Sequence, residues 1–141
     1  MVLDGLAILE KLRKGDIEIR GFARETVRAA SVPLTLDDRY IFQKSGIFVE
    51  EEMVTLGGPY MLKARESGVG LTREFIRLPT DLCGVIYDIG ETSRLQVGTR
   101  FLPPGYEGNV PLKLYNPGDF EEICLDPGMP ICELVIMRCG E

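Results

Sequence analysis

The stretch "NVPLKLYN", residues 109–116, puts Val110, Leu112 and Leu114 on one face and Lys113 beside Tyr115 on the other, the period-two pattern of a half-buried strand. A lysine on such a face either lies in solvent or holds a phosphate or carboxylate as a point charge. The run "GETSR", residues 90–94, offers two hydroxyls and a guanidinium, and on its residues alone is a polar turn between strands. Candidate acids are scattered, and Glu91, Glu107 and Glu122 each read as ordinary surface carboxylates. Histidine is absent, which removes the commonest general base and the commonest metal ligand. Ser-His-Asp, Cys-His and His-ligated zinc mechanisms are therefore excluded.

Composition bounds the fold that must position these groups. At 141 residues the chain suits one domain, 1–141, because a domain near 150 residues buries about 70% of its unfolded surface. Hydrophobic residues make up 45% and charged residues 27%, values typical of soluble globular proteins. No segment reaches the roughly 20 apolar residues that span a bilayer, and "MVLDGLAILEKLRKG" lacks the layout of a signal peptide. No membrane partner and a cytoplasmic location are expected. Net charge −6 argues against nucleic-acid binding, which rests on clustered Lys and Arg, yet allows a small anion where a few basic residues converge. Cys83, Cys124, Cys132 and Cys139 form no C-x-x-C pair and are expected to be reduced and mostly buried. The P-C-x-x-C of zinc-dependent nucleobase deaminases is missing as well.

Leu3, Leu6, Leu9 and Leu12 recur at helical spacing with Ile8 close to the same side, predicting a short amphipathic helix ended by Gly15. Beyond it the chain is a series of short apolar or alternating runs, from "SVPLTL" to "ICELVIM". Turn combinations such as "GGP", "ESGVG", "PPG", "NPGD" and "DPGM" separate them. Many short strands at regular spacing predict an all-β barrel or sandwich. "NPGD" and "DPGM" each place Pro-Gly at the centre of a type II turn, so residues 110–137 read as a three-stranded antiparallel meander. Gly98, Gly105 and Gly108 are assigned to backbone positions needing φ > 0.

The segment "PPGYEGNVPLKLYNPGDFEEICLDPGMPICELVI" closely resembles the family of metal-independent dCTP deaminases and trimeric dUTPases. That family's pattern is a D-P-G-[FY]-x-G turn, an L-E-L-x-N strand and P-G-M-x-I-x-Q-L-V-F. "AILEKLRKGDIEI", "AASVPLTLDD" and "GLTREFIRLPTDLCGVI" resemble its upstream segments in order, and the helix and the P-G-M motif look more like the deaminase branch. The resemblance implies a distorted, jelly-roll-like β-barrel of the β-clip kind with one N-terminal helix. It also implies a homotrimer with nucleotide sites between subunits. No cofactor would be held by protein ligands, and any Mg2+ would arrive with the nucleotide triphosphate.

Residue by residue, the family's R-S-S-L-x-R phosphate loop falls on "IGETSRLQ", where Thr92 and Ser93 would supply hydroxyls and Arg94 matches the second arginine. The first arginine has become Ile89 or its neighbour. Tyr106 would line the base pocket or pack at the barrel edge. The deaminases' proton-shuttling glutamate corresponds to Lys113, and an ammonium carries the wrong charge to take a proton from water. The aspartate with which dUTPases activate water corresponds to Pro103. Pro33 and Thr35 replace an aspartate and an arginine, removing a charge pair that would order their segment. The sequence also ends soon after "ICELVIMRCGE", whereas family enzymes continue into a segment that closes over the phosphates, so weaker water exclusion is expected.

Three functions fit these residues. The favoured one is a family-fold trimer without catalysis that binds a nucleotide or a protein, with Lys113 holding an anion or pairing with a neighbouring subunit's Glu107 or Glu91. The second is an active deaminase or dUTP diphosphatase using a relocated acid, Glu91, Glu107 or Glu122. The third is a purely structural trimer.

Overall fold

The computed structural model describes residues 1–21, 27–42, 53–89 and 94–139. Helix α1 (Gly5–Lys14) starts where the Asp4 carboxylate accepts the Ala7 N–H at 2.8 Å, satisfying one of the orphan donors of a helix start. It ends at Gly15, whose φ of 78° closes the last turn at little steric cost for a residue without Cβ. Ile8 is the helix residue that is fully buried, whereas Leu6 is 80% exposed. Of the predicted stripe, Leu3 and Ile8 are buried and Leu12 packs against the core, while Leu6 turns outward. A ten-residue helix buries only the residues beneath its contact with the core.

The rest is mainly strand: β1 (Glu18–Arg20), β2 (Val32–Phe42), β3 (Met53–Thr55), β4 (Tyr60–Leu62), β5 (Ser67–Arg77) and β6 (Leu82–Asp88), then β7 (Gln96–Val97), β8 (Arg100–Leu102), β9 (Glu107–Tyr115), β10 (Ile123–Leu125) and β11 (Pro130–Arg138). Among the described residues a nine-stranded sheet runs β7-β9-β5-β2-β11-β6-β8, with β1 on β5 and β3 on β2, while β10 and β4 form a separate ribbon. All pairings are antiparallel. The sheet curls into a half-barrel, the β fold with one short helix that the sequence predicts. The inner face collects alternating side chains: Val32, Leu34 and Leu36 of β2, Leu112 and Leu114 of β9, Leu134 and Ile136 of β11. No helix among the described residues is long and apolar enough to cross a membrane.

Five expectations change. Residues 110–137 are not a meander, because β9 lies between β5 and β7, β10 pairs with β4, and β11 lies between β2 and β6. β10 is three residues long and β9 and β11 are nine each, so β10 could satisfy only a fraction of their backbone groups. "ESGVG" is not a turn but the start of β5. A Cβ on Gly70 would lie 2.8 Å from Leu36 Cδ1 and 2.9 Å from Leu114 Cδ1, so the glycine makes room for inward side chains. "DPGM" turns as predicted, with Gly128 at φ 97° and Met129 N–H donating to Asp126 O at 2.9 Å. In "NPGD", however, Gly118 is not left-handed, because the Asn116 side chain accepts the Gly118 N–H at 2.9 Å and fixes an Asx turn instead. Gly105 and Gly108 have positive φ, but Gly98 does not.

The cysteines are the fifth correction. Cys83 and Cys139 form a disulfide with their Cα atoms 5.9 Å apart, while Cys132 is buried and free and Cys124 exposed and free. Their separation of 56 residues hid the pairing. The β11–β6 register places Met137 opposite Cys83, which delivers Cys139 to the start of β6.

Candidate functional site

β9 carries Lys113 out of the sheet because Leu112 and Leu114 on either side are buried inward, and Lys113 is exposed opposite Val69 of β5. On the other flank the Gly98 N–H donates to Lys113 O at 2.9 Å, and a Cβ at Gly98 would sit 3.5 Å from that of Lys113. Around this point lies an open cleft of about 660 Å³ lined by Ser67, Asp88, Gln96, Lys113 and Tyr115. Register assembles it: Tyr115 is opposite Ser67 on one side and Gln96 on the other. The curl of the sheet returns β7 to the end of β6, where Asp88 Oδ2 accepts the Val97 N–H at 3.1 Å. One ammonium, one carboxylate and three neutral hydrogen-bonding side chains thus face a common space, a set able to hold a polar or anionic small molecule. The ion pairs among the described residues do not include Lys113.

The other predicted residues are dispersed. Thr92, Ser93 and Glu91 lie outside the described residues. Arg94 is described, and its guanidinium pairs with Glu121. Tyr106 stands before the opposite end of β9, its hydroxyl donating to Asn109 O at 3.4 Å. Burial pushes its phenol up, with Arg100 opposing. The same end holds Glu107, opposite Arg77. Six residues of strand separate Glu107 from Lys113, about 20 Å at 3.4 Å per residue. Pro103 begins the turn in which Tyr106 N–H donates back to Pro103 O at 3.0 Å. Glu122 lies on the side of Tyr60, whose phenol is pushed up to about 12 by burial first and then by its bond to Glu66. Of the predicted binding residues that are described, Lys113 lines the cleft and Arg94 and Tyr106 do not.

Two further carboxylates, Glu74 buried and Glu133 partly buried, were not anticipated. Glu74 is 2% exposed and accepts the Thr35 N–H at 2.8 Å and the Thr35 hydroxyl at 2.7 Å. Burial raises its pKa above the ordinary value and these two bonds oppose the rise. Thr35 therefore ties its segment to β5 without the charge pair whose loss the sequence suggested. Glu133 gathers the Ser31 hydroxyl at 3.0 Å, Arg28 Nε at 2.8 Å and the Tyr87 hydroxyl at 3.2 Å. Both acids sit on strands among apolar neighbours, where only their partners, distant in sequence, mark them.

Known proteins share this architecture. A dCTP deaminase from Halorubrum lacusprofundi is 28% identical over 96% of this chain and 76% of its own. The dUMP-forming dCTP deaminase of Rhodococcus opacus is 29% identical over 98% and 81%. The crystal structure of 2'-deoxycytidine 5'-triphosphate deaminase from Agrobacterium tumefaciens superposes with a TM-score of 0.79 at 16% identity over 99% of this chain. This chain spans only 48% of that one. A mutant dUTPase from phage phi11 of S. aureus, described with a structural Mg(II) ion, superposes at 0.55 and 14% identity over 89% of this chain and 92% of its own. These two likenesses concern the fold. A family model described as dCTP deaminase-like matches residues 2–139; nearly every element described above falls inside that match, and the chain belongs to the dCTP deaminase-like family of nucleotide metabolism.

Proposed function

We propose that this chain acts as a single domain that binds a deoxynucleotide of the dCTP or dUTP type, as a homotrimer, without performing the deamination for which its relatives are named. One observation carries the reading: Lys113, which aligns with the glutamate of the family's L-E-L motif, projects from β9 into the cleft. A lysine ammonium has donors only and suits a phosphate or carbonyl oxygen better than a reacting water. Any Mg2+ would enter with the triphosphate. Among the described residues no group of three His, Cys, Asp or Glu side chains is placed to hold a metal.

A second reading, an active deaminase or diphosphatase, is favoured by Asp88, a carboxylate lining the same cleft. Incubation with dCTP and dUTP, followed by separation of dUTP, dUMP and pyrophosphate, decides between them. No product is expected, together with a raised melting temperature in nucleotide, because a ligand at 100 times its Kd stabilises by about 2.7 kcal/mol. Turnover abolished by Asp88→Asn would establish the second reading. Light scattering that finds a monomer would remove the trimer.

A further inference from the structure

Two distant stretches of the chain meet at one corner of the sheet. Val2 bridges to Met137, the Leu3 N–H donates to Ile136 O at 2.8 Å, and the Arg138 N–H donates to Met1 O at 3.0 Å. Residues 1–3 thus take the place beside β11 that β2 leaves after Leu134. On its other side the end of β11 pairs with the start of β6, Met137 with Cys83 and Arg138 with Leu82. Just beyond the strand, the Cys139 N–H donates to Asp81 O at 3.0 Å. Leu3 is 4% exposed, and the backbone that holds it there is the end of β11.

The Cys83–Cys139 bridge closes this corner, and its two sulfurs are unequally placed. Cys83 lies within β6 and is buried, whereas Cys139 follows the last strand and is half-buried. A thiol from solvent therefore meets Cys139 first. Cys132 is buried and free, seven residues back along the same strand, about 24 Å at 3.4 Å per residue, too far to exchange with the bridge. Cleft and corner are separate, since Asp88 lies at the far end of β6 from Cys83.

We propose that the Cys83–Cys139 bridge is a thiol-operated latch: a low-molecular-weight dithiol opens it at Cys139, and the end of β11 then parts from β6 together with residues 1–3 while the rest of the sheet stays folded. One thiolate attacks Cys139 Sγ, forms a mixed disulfide and displaces the Cys83 sulfur, which takes up a proton. The second thiol of the reagent then displaces Cys139 and leaves as the cyclic disulfide, so two electrons and two protons pass to the cysteines. Once the bridge is cut, a few backbone bonds and the packing of Leu3 hold the corner, and strand ends held so lightly open well below the free energy of global unfolding.

The full chain is compared in its bridged form, after dithiothreitol, and after reoxidation with oxidised glutathione. Native-state alkylation with iodoacetamide should label the exposed Cys124 in the bridged form, and Cys139 as well after reduction. Amide hydrogen exchange in low urea then reads the opening. In the bridged form the amides of Leu3 and of residues 136–139 should share the urea dependence of Val110, Leu112 and Leu114. After reduction they should exchange about tenfold or more faster than those of β9 and lose that dependence, the mark of local opening. Reoxidation should restore the first pattern, and Cys83→Ser without reductant should show the second. A bridge that resists dithiothreitol in the folded chain overturns the proposal, as do corner amides that exchange alike in both forms. A single urea dependence for corner and β9 after reduction also overturns it, because the bridge would then brace the whole fold and open nothing locally.

Discussion

Replacing Thr35 with valine tests whether the tie between β2 and β5 is an ionised one. Valine keeps the branched shape and the backbone N–H, so the 2.8 Å bond to Glu74 remains, but the hydroxyl donor at 2.7 Å is lost. Hydrogen bonds to charged groups contribute about 1.5–3 kcal/mol and neutral ones about 1 kcal/mol. The expected loss near neutral pH is therefore about 2 kcal/mol, falling to about 1 kcal/mol or less once Glu74 is protonated.

The sign of the pH dependence follows from burial, the largest influence on Glu74, which raises its folded pKa above the unfolded one. Between the two values the folded chain holds a proton that the unfolded chain has released, so stability falls as pH rises through that window. Valine removes one of the bonds that oppose the rise and widens the window upward. Urea unfolding at about pH 7 and about pH 4, the latter near the ordinary carboxylate range, measures both effects. A loss below about 0.5 kcal/mol at neutral pH, or an equal loss at both, would refute an ionised Glu74 held by Thr35.

Three other outcomes follow from the same packing. Cys139→Ser should lower stability by about 4 kcal/mol on the chain-entropy account for a bridge of 56 residues' separation, and a reducing agent should do the same to the parent; unchanged urea midpoints in both would deny the bridge. Tyr40 is fully buried and, among the described residues, its hydroxyl has no hydrogen-bond partner, so Tyr40→Phe should raise stability by about 1 kcal/mol, and a lowered melting temperature would show that the hydroxyl is satisfied after all. A methyl group at Gly68 would collide with the ring and hydroxyl of the same tyrosine, so Gly68→Ala should cost about 1–3 kcal/mol, an effect disproved by a melting temperature equal to the parent's.

What the sequence disclosed and what it hid divide by range. The alternation in "NVPLKLYN" is a local period, so it located both the buried face of β9 and the outward Lys113 correctly. "DPGM" was legible because its glycine carries the turn. "NPGD" was not, because the conformation is captured by the Asn116 side chain, itself anchored to Leu62 far away in sequence. Strand partnership is likewise non-local: short connections suggested a meander, whereas β9 and β11 each take two partners from elsewhere. The cleft was half legible for the same reason. Lys113 stood out in the sequence, while Ser67, Asp88 and Gln96 join it only through the register of β5 and β7 and the curl of the sheet.

On the reading proposed above, the family's fold and the family's chemistry separate at β9. The strand is held by backbone bonds to β5 and β7 and by Val110, Leu112 and Leu114 packed inward. None of these depends on the side chain at 113, which points away from the core and is exposed. The sign of charge in the cleft is thus a degree of freedom that the fold does not restrict. The acids that the fold does engage lie elsewhere: Glu74 beneath Thr35, Glu133 among its three donors, and the acids opposite Arg65 and Arg94. A charge reversal at 113 in either direction should therefore change what the cleft binds while leaving the melting temperature of the fold where it was.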